Sequence, residues 1–479
     1  MENPTINPIR GCVLDGRLFP GWHPGLFTMK PFGLPFSLPL KTGILIIGLL
    51  ITFLAIGQKT LTLEDCYELA RAQNTTLKRA QNTVDAQLLD RQTARHRQLP
   101  TASMNFGHWF SYGKNIDPVT NVFINESFSG GNMGLDIDLK LFSGLQTFYT
   151  IKQSGLLLQA SEYEKKRTEL EVLTNTTLCY AQMLYNREQL LIVRNQQQTT
   201  ARELEIANEK IKVGRADKNE YYLLLSRQHT EEANLVSARN DSMARAQELK
   251  QLLNLPYTEK IEIAPPDTAA LARILQADFP LAALLEEVLS RHPALQQARM
   301  TEQASQMGEK VARSSLFPTL SVGGNLVSNY NRSLVDANGD KLPLRAQLNN
   351  NFGQNIYLTL RVPIYAQKEF SNRVKKEKIS SANSRLALTE TEQTVVGGVL
   401  RLVNDFNLAK QKFRATQAAL EQSSLAYAVY TEKYRLGRAG SLELVTAKDL
   451  LYAAQARHLQ AKLELFFQHQ LLQLLRNAR

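Results

Sequence analysis

The stretch EKIKVGRADKNE, from Glu209 to Glu220, returns farther along the chain as EKYRLGRAGSLE, from Glu432 to Glu443. Six of the twelve positions are identical, and the shared residues include a Gly-Arg-Ala triplet. Glycine readily takes the left-handed conformation that ends an α-helix, and long stretches without proline flank both copies. We therefore expect each copy to be a turn between two helices, and we expect the chain to consist of two similar halves.

The similarity between the halves covers most of the chain. The segment ELARAQNTTL (68–77) aligns with EEVLSRHPAL (286–295), ahead of the repeated turns. The number of residues that separates matching positions is slightly larger at the turns than at these segments. The second half should therefore contain a few additional residues within 318–363. We predict a first structural repeat at residues 58–267, which ends in a proline-rich linker, and a second repeat at residues 268–479.

Each half contains two segments in which apolar and polar residues alternate, as expected for β-strands with two different faces. In MGLDIDLKLF (133–142), Asp136 and Asp138 fall on the polar face, and in the second half Thr359 and Arg361 do so. The apolar face of the first of these strands is predicted to carry Leu135, Ile137, Leu139 and Leu141.

The segments after the strands are predicted to be long helices. Residues 145–213 contain no proline, and the second half has no proline after Pro363. A helix that fills such a segment would reach about 100 Å, which is too long for a globular domain and favours coiled-coil packing. A second helix, about half as long, should follow each turn, antiparallel to the first.

Four strands per chain are too few to close a barrel. Three chains would supply twelve strands, an even number, with the apolar face outward and Asp136, Asp138, Thr359 and Arg361 facing an aqueous lumen. The predicted fold is therefore mainly α with a membrane β-barrel. Duplicated helix–strand–strand–long helix–helix halves would supply the strands of a trimeric 12-stranded β-barrel.

The N-terminal segment, residues 1–57, has the composition of a secretory signal peptide. Lys30 and Lys41 precede an apolar run, residues 44–56, that is too short to span a bilayer comfortably, and small residues end the run. We predict a signal peptide at residues 1–57, with Met29 as a candidate start of translation; an N-terminal membrane anchor is the alternative. Together with the alternating strands, a signal peptide indicates the outer membrane.

The order of elements and the duplicated turn resemble those of the TolC-type outer-membrane efflux proteins. The most specific segments are KYRLGRAGSLELVTAKDLLYAAQ (433–455) and KVGRAD (212–217), and the resemblance covers residues 60–479. It implies a homotrimeric, passive exit duct of a tripartite efflux or secretion system. The implied location is the outer membrane, in contact with its lipid. The implied long periplasmic extension is an α-helical periplasmic barrel. The implied partners are a periplasmic adaptor and an inner-membrane pump, of the RND type as first expectation.

The same resemblance implies roles for residues near the two turns. Tyr434 and Glu443 match a tyrosine and an acid at the family's periplasmic aperture, and Glu220 repeats Glu443 in the first half. Thr446 and Ala439 stand where the family has a second acid and an arginine, so the usual bonds of the aperture are in doubt. The residues implied to dock the adaptor are Val213, Gly214, Arg215, Leu436, Gly437 and Arg438. The alternatives are a plain helix-breaking turn and glutamates on a solvated helix surface.

Other classes of function have little support in the sequence. The net charge is +11, but the basic residues are scattered among acidic ones, which argues against nucleic-acid binding. We find no metal-binding, nucleotide-binding or catalytic motif and predict neither an enzyme nor a cofactor. The alternative function is a secreted or periplasmic coiled-coil scaffold without a pore.

Overall fold

The computed structural model describes residues 60–116, 121–125, 127–214, 217–265, 268–336 and 338–477, so the predicted signal peptide lies outside the described residues. Within these ranges the helices are α1 (Leu63–Gln73), α2 (Thr75–His96), α3 (Gln146–Lys212), α4 (Lys218–Leu253), α5 (Thr268–Gln276), α6 (Leu281–Arg291), α7 (Pro293–Ser314), α8 (Leu344–Asn350), α9 (Glu369–Arg435) and α10 (Ser441–Asn477). The strands are β1 (Thr60–Leu61), β2 (Thr101–Ser111), β3 (Lys114–Ile116), β4 (Phe123–Asn125), β5 (Phe128–Ser143), β6 (Glu262–Ile263), β7 (Thr319–Asn331) and β8 (Gly353–Arg361).

Three pairs of corresponding helices in the two halves have equal lengths, and the fourth pair, α4 and α10, has 36 and 37 residues. Helices α1 and α6 have 11 residues each, α2 and α7 have 22 each, and α3 and α9 have 67 each. The first two pairs are equally far apart along the chain, and the long pair is slightly farther apart. The additional residues of the second half lie between β7 and β8, where the chain forms the short helix α8. The predicted repeat boundary at 267/268 stays a prediction.

Four strands form one antiparallel sheet in the order β2-β5-β7-β8. The register places Ser103, Asp136 and Asn325 side by side on one face, and Ala102, Ile137 and Gly324 on the other. The outer strands β2 and β8 each have one edge without a partner strand among the described residues of this chain. Within the single chain the sheet is therefore open, and it is not a closed barrel.

The end of β5 differs from the predicted alternation. A β-bulge between Lys140 and Phe142 leaves Leu141 out of the register, and Phe142 pairs with Leu320 on the apolar face instead. A bulge adds one residue to one strand and so exchanges the faces beyond it. The bulge interrupts the predicted strict alternation at Leu141, and the apolar face continues through Phe142.

The order of the helices beside the sheet follows the order of the strands. Helix α2 leads into β2, β5 leads into α3, α7 leads into β7, and β8 leads into α9. Helix α3 packs against α2 and α7, and α7 packs against α9. The central pair α3 and α7 thus continues the central strands β5 and β7.

The main core lies where the short parallel pair β1–β6 and helices α1 and α6 pack against the long helices. Phe406 and Leu465 are fully buried there, and so is Cys66. Burial raises the pKa of the Cys66 thiol to about 12, so that it stays protonated as a small apolar core residue. No helix in the described part of the chain has both the length and the apolar composition that crossing a bilayer requires.

Candidate functional site

The glycines of the two turns have nearly the same φ angle, in the left-handed region. Gly214 ends α3 with φ of 71° and Gly437 ends α9 with φ of 70°. At the second turn the Arg438 N–H donates to the Lys433 carbonyl at 2.8 Å and the Gly437 N–H donates to the Tyr434 carbonyl at 3.1 Å. This pair of bonds is the Schellman motif, which satisfies carbonyls at a helix end.

The residues beside the turn glycines are open to solvent in the single chain. Val213 is 67% exposed and Leu436 is 55% exposed, and Arg438 is exposed as well. Arg215 lies outside the described residues. Exposed apolar side chains next to a rigid turn are available to a partner, but alone they do not identify it.

Tyr434 and Glu220 meet beside the turns, as a joint role at an aperture would require. The Tyr434 hydroxyl donates a hydrogen bond to the Glu220 carboxylate and so connects α9 to α4. Lys210 donates to the Tyr434 carbonyl at 3.0 Å, and its Nζ lies 3.4 Å from the centre of the Tyr434 ring. Burial and the nearby Glu220 carboxylate both raise the pKa of Tyr434, so it remains a donor at neutral pH.

Glu443 occupies the same repeat position as Glu220 but has a different partner. Its carboxylate accepts a hydrogen bond from the Gly440 N–H at 3.0 Å, at the start of α10. This is a helix-capping contact, since the N3 side chain satisfies an N–H at the helix start. The structure therefore brings Tyr434 together with Glu220, and it does not bring Glu443 into that contact.

The four predicted lumen residues share one face of the sheet. The Tyr357 hydroxyl reaches across the strand between them and donates to Asp138 at 3.4 Å. No side chain would fit at Gly323, because the Tyr357 ring lies over it. Asp136 is aligned with Asn325, which accepts from Asn355 at 3.0 Å, while Thr359 is aligned with Ser321 and Arg361 with Thr319.

The comparisons with a family model, with known sequences and with solved structures agree with one another. The profile of the family described as "Outer membrane efflux protein" matches residues 284–476. Outer membrane protein TolC of Salmonella enteritidis is 22% identical over 423 residues, which are 87% of this chain and 82% of that protein. The pyoverdine export outer membrane protein OpmQ of Pseudomonas aeruginosa is 25% identical over 351 residues, 71% of this chain and 67% of OpmQ. The crystal structure of the Campylobacter jejuni CmeC outer membrane channel superposes with a TM-score of 0.74 at 16% identity and covers 87% of this chain and 85% of CmeC.

The chain therefore resembles the TolC-type outer-membrane efflux proteins over most of its length.

The predicted resemblance and the predicted location are thereby confirmed. The relatives and solved structures that this chain resembles are outer-membrane channels and not enzymes. Among the described residues, no group of His, Cys, Asp and Glu side chains is placed to hold a metal ion.

A buried charge cluster, formed by Lys448, Glu203 and Glu231 where three long helices meet, was not predicted. Lys448 of α10 is fully buried and donates to the Glu203 carboxylate of α3 at 2.6 Å and to the Thr200 hydroxyl at 2.7 Å. Glu231 of α4 lies 3.8 Å from the Lys448 ammonium. Such a cluster fixes how the helices pack, since the burial of a charge requires a partner in one geometry.

Glu231 is the poorly satisfied member of this buried charge cluster. Neither of its carboxylate oxygens has a hydrogen-bond partner among the described residues, and Arg227, at 3.9 Å, also contacts Asp449. Burial raises the pKa of Glu231, against the opposing effects of the nearby Thr200 hydroxyl and of the Lys448 and Arg227 charges. If Lys448 neutralises Glu203 and Arg227 neutralises Asp449, then protonation of Glu231 leaves the cluster without a surplus charge.

The sequence contained one signal for this cluster. Lys448 falls in the helical row of Leu444, Val445 and Leu451, all of which are buried. A lysine in an apolar row at helical spacing indicates either a buried charge or an edge of the buried face. The pattern does not name Glu203 or Glu231, because they lie in the other half of the chain.

Proposed function

We propose that this protein is the exit duct of a tripartite efflux or secretion system. In this proposal three chains close a 12-stranded β-barrel in the outer membrane, and their helices enclose a passive tunnel through the periplasm. A periplasmic adaptor docks at the tips, and an inner-membrane pump, of the RND type as first expectation, supplies the energy.

The observation that carries the proposal is the open sheet with two different faces. On the apolar face Ile356 is 88% exposed and Phe106 is 72% exposed, which is costly in water and favourable in lipid. The free edges of β2 and β8 are unpaired backbone that another copy could satisfy. Three copies joined edge to edge would leave no free edge and would cover the apolar faces with lipid.

The polar face of the sheet suits an aqueous lumen. Asp136, Asp138, Thr359 and Arg361 would face the lumen, together with the asparagines aligned with them. Charged groups of both signs occur there, so the barrel would conduct hydrated solutes without a strong preference for one sign of charge.

The turns are the proposed docking tips of the adaptor. Val213, Gly214 and Arg215 would form one tip, and Leu436, Gly437 and Arg438 would form the other. A trimer would therefore have six tips. The exposure of Val213 and Leu436 supports this role, because such positions are expected to be covered in the assembly.

The contact between Tyr434 and Glu220 is the proposed latch of the periplasmic aperture. It joins α9 to α4 within one chain and would hold together the ends of these helices that lie beside the glycine turns. Glu443 would join the aperture as a free carboxylate only if it left its cap on Gly440.

The remaining proposals concern the ends of the chain and the repeats. Residues 1–57 would be removed as a signal peptide, and residues 58–267 and 268–479 would be the two repeats. The equal lengths of the paired helices support the division.

The test is detergent extraction of the mature protein from membranes, followed by single-particle electron microscopy. We expect a threefold particle with a detergent belt around the sheet and a helical section of about 100 Å. A particle that is soluble without detergent and lacks a belt would favour the coiled-coil scaffold instead.

A further inference from the structure

An apolar cavity of about 250 Å³ lies where the sheet meets the helices. It is formed by the end of β5, the start of α3, the end of α7 and the segment before β7. Gly144 makes this close junction possible, because a side chain there would collide with the Ser314 carbonyl and with Phe317. We call this cavity the junction pocket, and its apolar wall consists of Phe142, Leu145, Tyr149 and Phe317.

The junction pocket borders the apolar face of the sheet. Phe142, one of its wall residues, pairs with Leu320, which lies on that face. Leu145 is 53% exposed and Phe317 is 55% exposed, although both are large apolar side chains. The pocket therefore continues the exposed apolar surface of the strands down to the first turn of α3.

Two basic residues of α7, Lys310 and Arg313, line the junction pocket. The Lys310 Nζ lies 5.7 Å from the centre of the Tyr149 ring. The Arg313 guanidinium donates to Glu309 from Nε at 3.0 Å and from Nη2 at 2.6 Å. These bonds use two of its five N–H donors, and the three charges together leave the site with one net positive charge.

The position of the junction pocket keeps it accessible in an assembly. It lies between α3 and α7, beside the central strands β5 and β7. The edges that another copy could join are those of β2 and β8. Neighbouring chains would therefore leave the junction pocket facing outward, at the periplasmic boundary of the apolar surface.

We propose that the junction pocket binds one phospholipid of the inner leaflet of the outer membrane. Lys310 and Arg313 hold the phosphodiester of the headgroup, and the apolar wall holds the first part of an acyl chain. A singly anionic lipid such as phosphatidylglycerol fits best, because it neutralises the one surplus positive charge. This proposal rests on the proposed function, since it requires the apolar face of the sheet to lie in the membrane.

The test is native mass spectrometry of the detergent-extracted protein titrated with dilauroyl phosphatidylglycerol. The test variant is K310Q/R313Q. The matched control is K375Q/K378Q, which removes two exposed charges with the same spacing near the start of α9, outside the pocket. We expect the test variant to bind the lipid about tenfold more weakly than the wild type, and the control to bind it normally.

Further titrations separate a lipid from its headgroup. Glycerophosphoglycerol and inorganic phosphate, which lack acyl chains, should bind much more weakly than the lipid. Equal binding of the lipid by all three proteins would overturn the proposal, and so would equal binding of inorganic phosphate and the lipid. The same spectra report the oligomeric state. A protein that needs no detergent would contradict the proposed function itself, whereas a detergent-dependent trimer without specific lipid binding would contradict only this inference.

Discussion

Tyr434 makes three kinds of contact, two through its side chain and one through its backbone carbonyl. Its hydroxyl donates to Glu220, its ring lies under the Lys210 ammonium, and its carbonyl accepts from the same lysine. These contacts connect α3, α4 and α9 next to both turns. Removal of the hydroxyl alone therefore tests the latch without removing the ring.

We expect Tyr434→Phe to raise the conductance of the channel in planar lipid bilayers. A hydrogen bond to a charged group contributes about 1.5–3 kcal/mol, so its loss should shift the balance between closed and open apertures at least about tenfold. Tyr430→Phe is the control, because its ring contacts Lys433, at 5.4 Å, one turn earlier on the same helix. Unchanged conductance in Tyr434→Phe would show that this bond does not hold the aperture.

Lys448 should be essential for stability, although it is charged and buried. We expect Lys448→Met to destabilise the protein by about 3–5 kcal/mol, because it leaves Glu203 and Glu231 buried without their cation. Thermal unfolding in detergent, followed by circular dichroism, measures the change. The control is K448M/E203Q/E231Q, which removes all three charges and should recover most of the loss. If this triple variant is as unstable as Lys448→Met, packing rather than charge explains the effect.

Glu231 should make stability depend on pH in a defined direction. Its pKa is raised in the folded protein, so the folded state holds a proton that the unfolded state releases above about pH 4.3. Stability must then decrease as pH rises from about 4.3 through the folded pKa, and it is constant beyond it. We expect the melting temperature of Glu231→Gln to exceed that of the wild type by a margin that grows across this window. A margin that does not change with pH would contradict this assignment.

At the scale of helices and turns, each turn requires a glycine because the backbone there adopts the left-handed conformation. A residue other than glycine in the left-handed region costs about 1–2 kcal/mol. We expect Gly437→Ala to accelerate hydrogen exchange of the amides around the turn by about 5- to 30-fold. Gly440→Ala is the control, because Gly440 is not among the positive-φ glycines and has open space around its Cα. Equal exchange in the two variants would mean that the left-handed turn is not under strain.

The elements show which parts of this fold were predictable from sequence. The two longest helices were predictable because they contain no proline, and the strands because their faces alternate. The bulge at Leu141 was not predictable, since it depends on how β5 pairs with a strand from the other half. The cap formed by Glu443 was missed for a different reason. Glu443 and Glu220 occupy the same position in the two repeats, so the sequence does not distinguish them. In the structure Tyr434 bonds to Glu220, whereas Glu443 bonds to the Gly440 N–H.

At the scale of the whole molecule, the decisive question is whether the apolar face of the sheet lies in lipid. We expect Ile137→Arg to prevent trimer formation, because an arginine at the middle of a lipid-facing strand costs about 2–4 kcal/mol. Size-exclusion chromatography in detergent measures the trimer. Ser103→Arg is the control, since it places the same side chain next to Asp136 on the opposite face. A normal amount of trimer in Ile137→Arg would reject the lipid-facing assignment.

The equal lengths of α3 and α9 also limit how this protein can change during evolution. Each helix spans 67 residues and ends at its glycine turn, so the pair acts as two matched rulers. Deleting two helical turns from one helix alone would bring its glycine turn about 10 Å closer to the sheet. A partner would then meet two glycine turns at unequal distances from the sheet. A viable change in tunnel length must therefore occur twice in the same gene, in both rulers and in the helices that return from them.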